Sequence, residues 1–543
     1  MLCIQMLWWK NEKDFCNRFY RNTCTSARVL HSYGTAGNSH PPQPAAQTQK
    51  APVTWAKTYG NTSEDIAMSV AATPDGGCIV VGKTNSFGSG DYDFWVLKLD
   101  SNGTIQWQKA YGGTGEDVAL SVAVAGDGDG YAVAGYTNSL GASSYDFWVL
   151  KLNSTGGVEW QKSYGGASFD YAYSVTFDSE GKIVVAGYSN SFGSGDYDFC
   201  VLKLDPATGN ITWQFRYGAS GTDDVARGIA FAGDGYVVAG YTKSFGASDE
   251  DVWVIKLNMD GTLQWQNVYK NPGIDYALSV AVAGDGYVVA GYTNSSGYWN
   301  GDHDFLFLKL NSTGEVQWVK KYGRPGVEWA CSIAVASDGY ILAGHTNSFG
   351  AGGEDFLVMK IDQSGTIKWQ RTYGGLKNDK GYSAVVHADG YITVVGETSS
   401  FDVNGTDFWV LRLNSSGAIA NPIQEFTIRD GSAEAKQLFF TNESTGVTAQ
   451  QSTFSQSSIT FKTVDTFATV KEQAPPTPEG GGAPPGGAPT EGGVEGWMIT
   501  SLWLMSGAGA PSTSLLIGAV VVLAVAVTGV LLWRFRLRAK PKG

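Results

Sequence analysis

The sequence predicts an all-β fold built from seven copies of one four-stranded unit, and three observations lead to this prediction. A motif of the form Asp-(Phe/Val)-(Trp/Leu/Cys)-x-(Leu/Ile/Met)-(Lys/Arg) returns at intervals of 51 to 53 residues, which is typical of a repeat architecture. Glycine (71 residues) and aromatic residues (13%) are abundant while charged residues make up 16%, a composition suited to short strands and tight turns. Asp-Gly pairs recur between strand-like segments, where they supply the positive φ angles of hairpin turns.

The second copy illustrates the unit. Residues 117–125 alternate between apolar and polar or small side chains, and residues 131–136 are continuously apolar or small, as expected of a strand buried on both faces. Residues 146–152 and 158–164 form the third and fourth strands, joined by a tight turn. The unit is therefore an antiparallel meander. Seven such units arranged radially make a β-propeller, whose circular packing protects strand edges.

The ends of the repeat region predict how the ring closes. A Trp marks the fourth strand of the first six units, but the seventh unit, which ends at about residue 422, has none. Trp55, in the segment VTWAKTYG, matches the fourth-strand pattern and precedes the first complete set of strands one to three. An N-terminal strand is thus expected to complete the last blade, so that residues 51–422 make seven whole blades.

The flanking segments predict a single-pass membrane protein. Residues 1–50 are a leader or linker, 423–471 a stalk or small accessory β segment, and 472–511 a Pro/Gly-rich linker. A transmembrane helix is predicted at 512–534, because 515–533 are uncharged and almost wholly apolar. The basic tail, 535–543, is then cytoplasmic and the propeller extracellular. A cytoplasmic propeller on a tail anchor is the alternative, since residues 1–30 match a secretory signal poorly.

Charge and cysteine content exclude some functions. The formal net charge of −13 disfavours nucleic acid as a partner, because nucleic-acid binders need a basic surface. The six cysteines show no CxxC pair and no short Cys/His spacing, so no metal or redox motif is predicted. The five histidines are scattered, which suggests neither a catalytic triad nor a zinc site.

Two sets of carboxylates recur and begin at the same face of the disc, because strands one and three of a meander run in the same direction. The first strands start at Asp65, Asp117, Asp170, Asp224, Asp275, Glu328 and Asp379. The third strands start at Asp93, Asp146, Asp198, Asp251, Asp304, Asp355 and Asp407. These side chains are candidates for binding a cation such as calcium, or a polyhydroxylated ligand. Alternatively each accepts hydrogen bonds from loop backbone N–H groups and fixes its blade, which is preferred because the residues recur in every blade.

One loop departs from the repeat and is the best single candidate for a specific ligand contact. The loop of the fifth unit, residues 294–303, is enlarged and carries Tyr298, Trp299, Asp302 and His303. An ordinary loop insertion is the competing interpretation. Further aromatic residues expected on this face are Phe87, Tyr92, Phe192 and Phe349. Nine Asn-x-Ser/Thr sequons, five of them at turns on the opposite face, permit glycosylation there.

The unit resembles the seven-bladed β-propeller repeats of microbial secreted and cell-surface proteins over roughly residues 51–420. In the second copy the matching residues are Tyr-Gly-Gly at 111–113, 117–122, 135–139, Asp-Phe at 146–147, Lys-Leu-Asn at 151–153, and Trp160. The resemblance implies the fold and an exported protein, but members of this family mostly lack an assigned chemistry. The unit resembles quinoprotein repeats more distantly. The chain lacks the adjacent cysteine pair of that family, which argues against a quinone cofactor.

Together these features predict a membrane-anchored, outward-facing propeller that binds a glycan, an envelope polymer or a surface protein. No cofactor is predicted, and calcium is the one candidate considered. An enzyme acting on extracellular polysaccharide is the first alternative, and it would need a carboxylate pair or a His in the central funnel that does not belong to the repeat. A purely structural envelope protein is the second alternative. A binding role is preferred because no such pair stands out in the sequence.

Overall fold

The computed structural model describes residues 54–419, except for 89, 129, 140–143, 192–195, 220, 246–248, 295–302 and 402–404, and seven short strands between residues 427 and 471. The strands of the repeat region follow one another without an intervening helix in the described residues. In chain order they are β1 Trp55–Gly60, β2 Asp65–Ala72, β3 Cys78–Thr84, β4 Asp93–Leu99, β5 Ile105–Tyr111, β6 Asp117–Val124, β7 Tyr131–Thr137, β8 Asp146–Leu152, β9 Val158–Gly165, β10 Asp170–Phe177, β11 Ile183–Ser189, β12 Asp198–Leu204, β13 Ile211–Tyr217, β14 Asp224–Phe231, β15 Gly235–Thr242, β16 Asp251–Asn258, β17 Leu263–Lys270, β18 Asp275–Ala283, β19 Gly286–Thr293, β20 Asp304–Asn311, β21 Val316–Gly323, β22 Glu328–Ala336, β23 Gly339–Thr346, β24 Asp355–Ile361, β25 Ile367–Gly374, β26 Asp379–Val386, β27 Ile392–Thr398 and β28 Asp407–Leu413.

These strands form seven separate antiparallel sheets, which are the blades of a propeller. Blades 1 to 6 take four consecutive strands each, from β2–β5 to β22–β25. Blade 7 combines β26, β27 and β28 with β1, which pairs with β28 from Trp55 opposite Arg412 to Tyr59 opposite Phe408. The seven-bladed, four-stranded fold predicted from the repeat is thereby confirmed, and the N-terminal strand closes the ring.

Every first strand carries a β-bulge at the same place. The register of β2 with β3 shifts between Ala67 and Ser69, which leaves Met68 as the extra residue. The same shift occurs in the other six blades. The extra residues are Met68, Leu120, Tyr173, Arg227, Leu278, Cys331 and Tyr382. The bulge is a constant feature of the unit, whereas the side chain that it carries differs from blade to blade.

Apolar side chains between adjacent blades make up most of the core. Seven buried clusters each join two neighbouring blades, and one of them packs Trp55 and Tyr59 of blade 7 against Trp95 of blade 1. An eighth cluster collects side chains from all seven blades and therefore lines the centre of the ring. The ring is held by burial of large aromatic and β-branched side chains, which is the dominant favourable contribution to folding.

A hydrogen bond repeated seven times explains why Tyr and Gly recur in the unit. The last Tyr of each fourth strand donates its hydroxyl to the carbonyl of a Gly in the next blade's turn between strands three and four, with O···O distances of 2.5 to 2.8 Å. That Gly has a positive φ, and at Gly103 an added Cβ would lie 2.8 Å from the Trp55 ring. Only glycine therefore fits the turn and leaves room for the neighbouring Trp.

A second layer of short strands covers the outer edges of the blades. Residues 423–471, expected from the sequence to be a stalk or accessory β segment, contain β29 Thr427–Asp430, β30 Glu434–Gln437, β31 Thr441–Ser444, β32 Gln450–Gln451, β33 Ser455–Ser458, β34 Val464–Asp465 and β35 Thr469–Lys471. We call these seven strands the outer strap. They pair antiparallel with the fourth strands of blades 6, 5, 4, 3, 2, 1 and 7, in that order. The strap thus gives each blade a fifth strand and covers an edge that would otherwise offer unpaired backbone groups.

The described part of the chain contains no helix that is long and apolar enough to cross a bilayer. The predicted transmembrane helix at 512–534, the linker at 472–511, the basic tail and the segment 1–50 lie outside the described residues. A membrane-spanning helix therefore stays a prediction.

Candidate functional site

The candidate site lies in the central funnel of the propeller. Its walls are formed at one level by seven cross-strand pairs, each joining the second residue of a first strand to the residue before the last one of the second strand. The pairs are Ile66–Lys83, Val118–Tyr136, Tyr171–Tyr188, Val225–Tyr241, Tyr276–Tyr292, Trp329–His345 and Lys380–Glu397. The bulge residues of the first strands lie one level deeper in the funnel than these pairs. Because all of these positions vary between blades, the funnel is chemically asymmetric although the fold is a repeat.

One side of the funnel, contributed by blades 2 to 6, is lined by two groups of aromatic rings. We call it the aromatic wall, and it consists of Tyr136, Tyr145, Phe169, Tyr171, Tyr173, Tyr188, Tyr197, Tyr241, Tyr276, Tyr292 and Trp329. Neighbouring rings have centroids 4.2 to 6.4 Å apart. Tyr292 and Trp329 are stacked, with centroids 4.9 Å apart and planes inclined by 14°. Phe169 stands at the mouth and is 41% exposed.

A buried arginine connects the two halves of the aromatic wall. The guanidinium carbon of Arg227 lies 4.1 Å from the ring centroid of Tyr173 and 5.6 Å from that of Tyr241. Arg227 has no solvent exposure. Aromatic faces attract a cation, and burial strengthens that attraction because water no longer competes. Arg227 therefore ties blade 3 to blade 4.

The opposite side of the funnel is charged. The second-strand position that is Tyr in blades 2 to 5 becomes His345, Glu397 and Lys83 in the consecutive blades 6, 7 and 1. The first-strand position becomes Lys380 in blade 7, the one charged residue among the seven. The charged and imidazole side chains at these two positions therefore lie together in blades 6, 7 and 1.

A pocket of about 380 Å³ opens at this charged side. Its lining residues are Glu64, Ile66, Tyr92, Asn378, Lys380, Tyr382, Glu397, Ser399 and Thr406. They come from the starts of first and third strands and the ends of second strands in blades 7 and 1, so the pocket opens on the face from which the sequence predicts ligand binding. Its size lies within the range of small-molecule sites.

Two lysines beside the pocket are each held by a carboxylate. Lys83 Nζ lies 3.2 Å from Glu64 Oε1 and 3.4 Å from the centroid of the Tyr92 ring. Burial lowers the pKa of Lys83 to about 8, even though the charge of Glu64 acts in the opposite direction. Lys380 Nζ lies 2.9 Å from Glu354 Oε2 but 3.9 Å from Glu397 Oε1. Each lysine thus has one close carboxylate, and Glu397 is the third carboxylate of the group.

Glu397 is the most perturbed of these acids. Burial raises its pKa to about 7, and the charge of Glu64 adds to that effect, while Lys380 and a hydrogen bond from Tyr382 oppose it. Only 9% of the residue is exposed. A buried carboxyl group that titrates near neutrality and lines a pocket is suited to exchanging a proton with a ligand or to pairing with a ligand's positive charge.

The recurrent carboxylates of the first strands are buried and serve the blades. Asp65 accepts hydrogen bonds from the hydroxyls of Thr84 and Ser86, the second at 2.7 Å, and from the backbone N–H of Asn61 at 3.0 Å. Asp117 repeats this arrangement with the Ser139 hydroxyl at 2.6 Å. The first-strand acids Asp65, Asp117, Asp170, Asp224, Asp275, Glu328 and Asp379 have no exposure at all. These contacts are the ones expected if each acid accepts hydrogen bonds from the loop of its own blade and fixes that loop in place.

The third-strand carboxylates are also buried, with exposures of 1 to 7% for Asp93, Asp146, Asp198, Asp251, Asp304, Asp355 and Asp407. Asp304 pairs with Lys321 at 2.6 Å, and Asp355 accepts the backbone N–H of Ala351 at 2.6 Å. Among the described residues, no group of three or more His, Cys, Asp or Glu side chains is arranged to hold a metal ion. Calcium binding stays a prediction.

The enlarged loop of blade 5 is described only at its first and last residues, Asn294 and His303. Tyr298, Trp299 and Asp302 lie outside the described residues, as does Phe192. His303 is partly buried and lies edge-on to Tyr292 and Trp329, with centroids 5.1 and 5.7 Å away. The loop therefore ends against the aromatic wall.

Of the other aromatic residues expected on this face, Tyr92 lines the pocket. Phe87 packs instead against Trp95, with ring centroids 5.2 Å apart, and Phe349 packs between blades 5 and 6. These two side chains contribute to packing between blades.

Sequence reasoning missed the aromatic wall, Arg227, Lys83, Lys380, Glu397 and Glu64. The signal was present in the repeat. In the pattern Asp-x-Ala-x-Ser the two variable positions of the first strand face the funnel, as does the residue before the final Thr or Ser of the second strand. Aligning the seven units and reading their variable positions would have found these residues.

Comparison with known sequences agrees with the repeat. A family model described as a domain of unknown function (DUF5122) beta-propeller matches residues 179–211, which lie within blade 3. The regulatory protein FlaEY of Caulobacter vibrioides is 28% identical over 246 residues, which is 41% of this chain. The chain spans 24% of the length of that relative.

Solved structures resemble the chain at low sequence identity. The hydrazine synthase of Kuenenia stuttgartiensis is 11% identical with a TM-score of 0.43, covering 70% of this chain and 100% of that one. The β-propeller domain of the Trilobed protease from Pyrococcus furiosus is 11% identical with a TM-score of 0.39, covering 66% and 94% of the two chains. The architecture itself rests on the seven sheets and on the repeat. The chain is accordingly a repeat protein of the seven-bladed β-propeller type, with one unit that matches the DUF5122 beta-propeller model.

Proposed function

We propose that this protein is a membrane-anchored, outward-facing binding module that takes carbohydrate of the cell surface or envelope at the mouth of its central funnel. The observation that carries the proposal is the aromatic wall beside a polar pocket. Sugars present flat apolar C–H faces edged by hydroxyl groups. The exposed ring of Phe169 and the half-buried stacked pair Tyr292–Trp329 suit those faces. The side chains of Asn378, Ser399 and Thr406 suit the hydroxyls.

A surface protein is a less suitable ligand for this funnel than a glycan chain. The pocket is small and concave, whereas a stable protein interface buries on the order of 800 Å² on each partner. A polysaccharide strand can enter the mouth with a few residues and leave the rest in solvent. The envelope polymer and the glycan of the sequence-based prediction share this chemistry.

Binding is tested by titrating the purified full chain with a panel of soluble polysaccharides and measuring affinity by calorimetry. For the polysaccharide that binds, Phe169→Ala is expected to weaken binding about tenfold, or ~1.4 kcal/mol. The control is Leu376→Ala, which removes an apolar side chain that is 85% exposed but has no ring. It is expected to change affinity less than twofold. Equal effects of both variants, or no binding across the panel, would refute carbohydrate recognition by the wall.

A second candidate, hydrolysis of extracellular polysaccharide, is favoured by one observation. Glu397 and Glu64 are two carboxyl groups in one pocket that do not belong to the repeat, and their environments differ, since Glu397 is buried and Glu64 is partly exposed. Two acids in different environments are the usual machinery of glycosidases. The same incubations, assayed for new reducing ends, distinguish the two functions. Product release that Glu397→Gln abolishes would establish the enzyme.

Location is tested by digesting intact cells with a protease and blotting for the propeller and for the basic tail. The propeller is expected to be lost while the tail at 535–543 stays protected, since the apolar segment 515–533 followed by basic residues orients an outward-facing domain. Protection of the propeller until the cells are lysed would favour the cytoplasmic alternative.

A further inference from the structure

The charge balance around the pocket is uneven. Within this group there are three carboxylates, Glu64, Glu354 and Glu397, and two lysines, Lys83 and Lys380. The close ion pairs are Lys83–Glu64 at 3.2 Å and Lys380–Glu354 at 2.9 Å. Glu397 has Lys380 at 3.9 Å, which is already engaged, a hydrogen bond from Tyr382 and a smaller effect from the charge of Lys83, which is paired with Glu64. The pocket therefore has room for one more positive charge beside Glu397.

A buried carboxylate without a close cation is costly, so it holds a proton or recruits a positive partner. A ligand ammonium group placed in the pocket would supply that partner. It would gain a charge-assisted hydrogen bond that a neutral ligand lacks. The walls of the pocket offer Asn378, Ser399 and Thr406, which can exchange hydrogen bonds with hydroxyl groups, and the Tyr92 ring as an apolar surface.

We propose that the pocket binds the free amino group of a hexosamine residue, with the Glu397 carboxylate as its counter-ion. The inference rests on the proposed carbohydrate function and names the class of sugar. A lysine side chain of a protein carries the same ammonium group, but its long apolar stem would be placed among the polar groups of Asn378, Ser399 and Thr406. The arrangement around the pocket suits a compact ring that carries both an amine and hydroxyls.

The inference is tested by calorimetric titration of the full chain at pH 7 with a glucosamine tetramer and with the N-acetylglucosamine tetramer. The free amine is expected to bind at least tenfold more tightly, since acetylation removes its charge. Glu397→Gln is expected to abolish this preference while leaving binding of the acetylated tetramer within about twofold. The matched control, Glu116→Gln, changes a carboxylate at the funnel mouth that accepts hydrogen bonds from Tyr136 and Tyr145 at 3.1 and 2.8 Å. It is expected to keep the preference.

A second measurement uses the unmodified protein and does not depend on the variant folding. Binding of the amine should displace the proton that Glu397 carries near neutral pH, which is detected by titrating in buffers of different ionisation enthalpy. The groups that face Glu397 are Lys380 and Tyr382 on β26, Lys83 on β3, and Glu64 and Glu354 at strand starts. Lys83 also titrates near neutrality, so the release should persist in Lys83→Met.

The possible results distinguish the amino-group site from carbohydrate binding in general. Failure of both tetramers and of every other polysaccharide to bind would overturn the carbohydrate function and the inference together. Equal or tighter binding of the acetylated tetramer would leave carbohydrate recognition standing and overturn the amino-group site. Binding of a lysine-rich peptide that depends on Glu397, with no sugar binding, would assign the pocket to protein ligands and overturn the proposed sugar class.

Discussion

The propeller is expected to unfold at a temperature about 10 °C lower at pH 8 than at pH 5. Burial raises the pKa of Asp65 and Asp170 to about 6, and that of Asp224 and Glu328 to about 7, although hydrogen bonds from neighbouring hydroxyls oppose the shift. In the unfolded chain the same groups ionise near pH 4. Their contribution to stability is therefore complete below about pH 4 and is lost as the pH rises through 6 to 7.

The size of the effect follows from the number of such groups. Between pH 5 and pH 8 a carboxyl group with a pKa of about 6 loses ~1.4 kcal/mol and one with a pKa of about 7 loses ~2.7 kcal/mol, so these four groups together lose on the order of 8 kcal/mol. For a domain of this size that amounts to about 10 °C. His345 and His387 act in the opposite sense, because burial lowers the pKa of both, that of His387 to about 4. Their protonation destabilises the fold below about pH 6, so they offset part of the stability that the carboxyl groups gain on acidification.

A single substitution isolates the cause. Burial, with the charge of Asp170 beside it, raises the pKa of Asp146 to about 7. Asp146→Asn removes the charge and is expected to raise the free energy of unfolding at pH 8 by about 2 kcal/mol, with much less gain at pH 5. The control is Asp205→Asn, since Asp205 pairs with Lys182 at 2.8 Å and its pKa is lowered to about 2 by hydrogen bonds from Lys182 and Thr208. Greater stability at pH 8 than at pH 5, or an equal gain from Asp146→Asn at both, would show that these carboxyls are not the cause.

The second large effect concerns closure of the ring. A chain that begins at residue 61 lacks β1 and should lose on the order of 8 kcal/mol, because Trp55 and Tyr59 are 8% and 0% exposed and each aromatic buries about 150–250 Å². It also loses hydrogen bonds to blade 1, from Trp55 to the Ser101 carbonyl at 3.1 Å and from Tyr59 to the Gly103 carbonyl at 2.7 Å. Equilibrium unfolding in guanidinium chloride measures the loss.

The matched control for closure is a chain that begins at residue 51 and keeps β1, whose propeller should unfold as in the full chain. Adding a peptide of residues 51–62 to the shorter chain should raise its unfolding temperature in a concentration-dependent manner, since the peptide binds only the folded ring. Equal stability of the two truncated chains would mean that β1 contributes little to closure.

The architecture could be predicted because the same strand and turn patterns occur in each of the seven units. The alternation and Asp-Gly turns of one blade are weak signals alone, but seven copies in phase leave few alternatives, and the Trp missing at one end reappears as Trp55 at the other. The outer strap offered no such signal. Its strands have two to four residues and pair through backbone groups, so no side-chain period reveals their partners.

The sequence predicted the face on which the pocket opens, but of the residues that line the pocket it singled out only Tyr92. Sequence reasoning concentrated on the acids that recur, and those prove to be buried within the blades. The funnel is lined by positions that vary from blade to blade, such as Arg227 and Glu397. From the sequence alone such variation cannot be distinguished from random divergence between repeats, because the strand register is needed to show that these side chains face the funnel. The bulge at Met68 added to the difficulty, since an extra residue in a strand disturbs the simple alternation from which facing is inferred.

The strands of the outer strap pair with the blades one after another, and this order determines how the molecule would respond to a pulling force. Beginning at β35 on blade 7 and continuing to β34 on blade 1, each strap strand is a separate attachment of a few residues. Tension on the chain at Lys471 would break these attachments one at a time, because each strand bears the load alone until it detaches. About 45 residues of chain would be released in this way before any force reached β28 and the ring itself. The strap is thus a mechanical buffer between the propeller and whatever holds the C-terminal end of the chain.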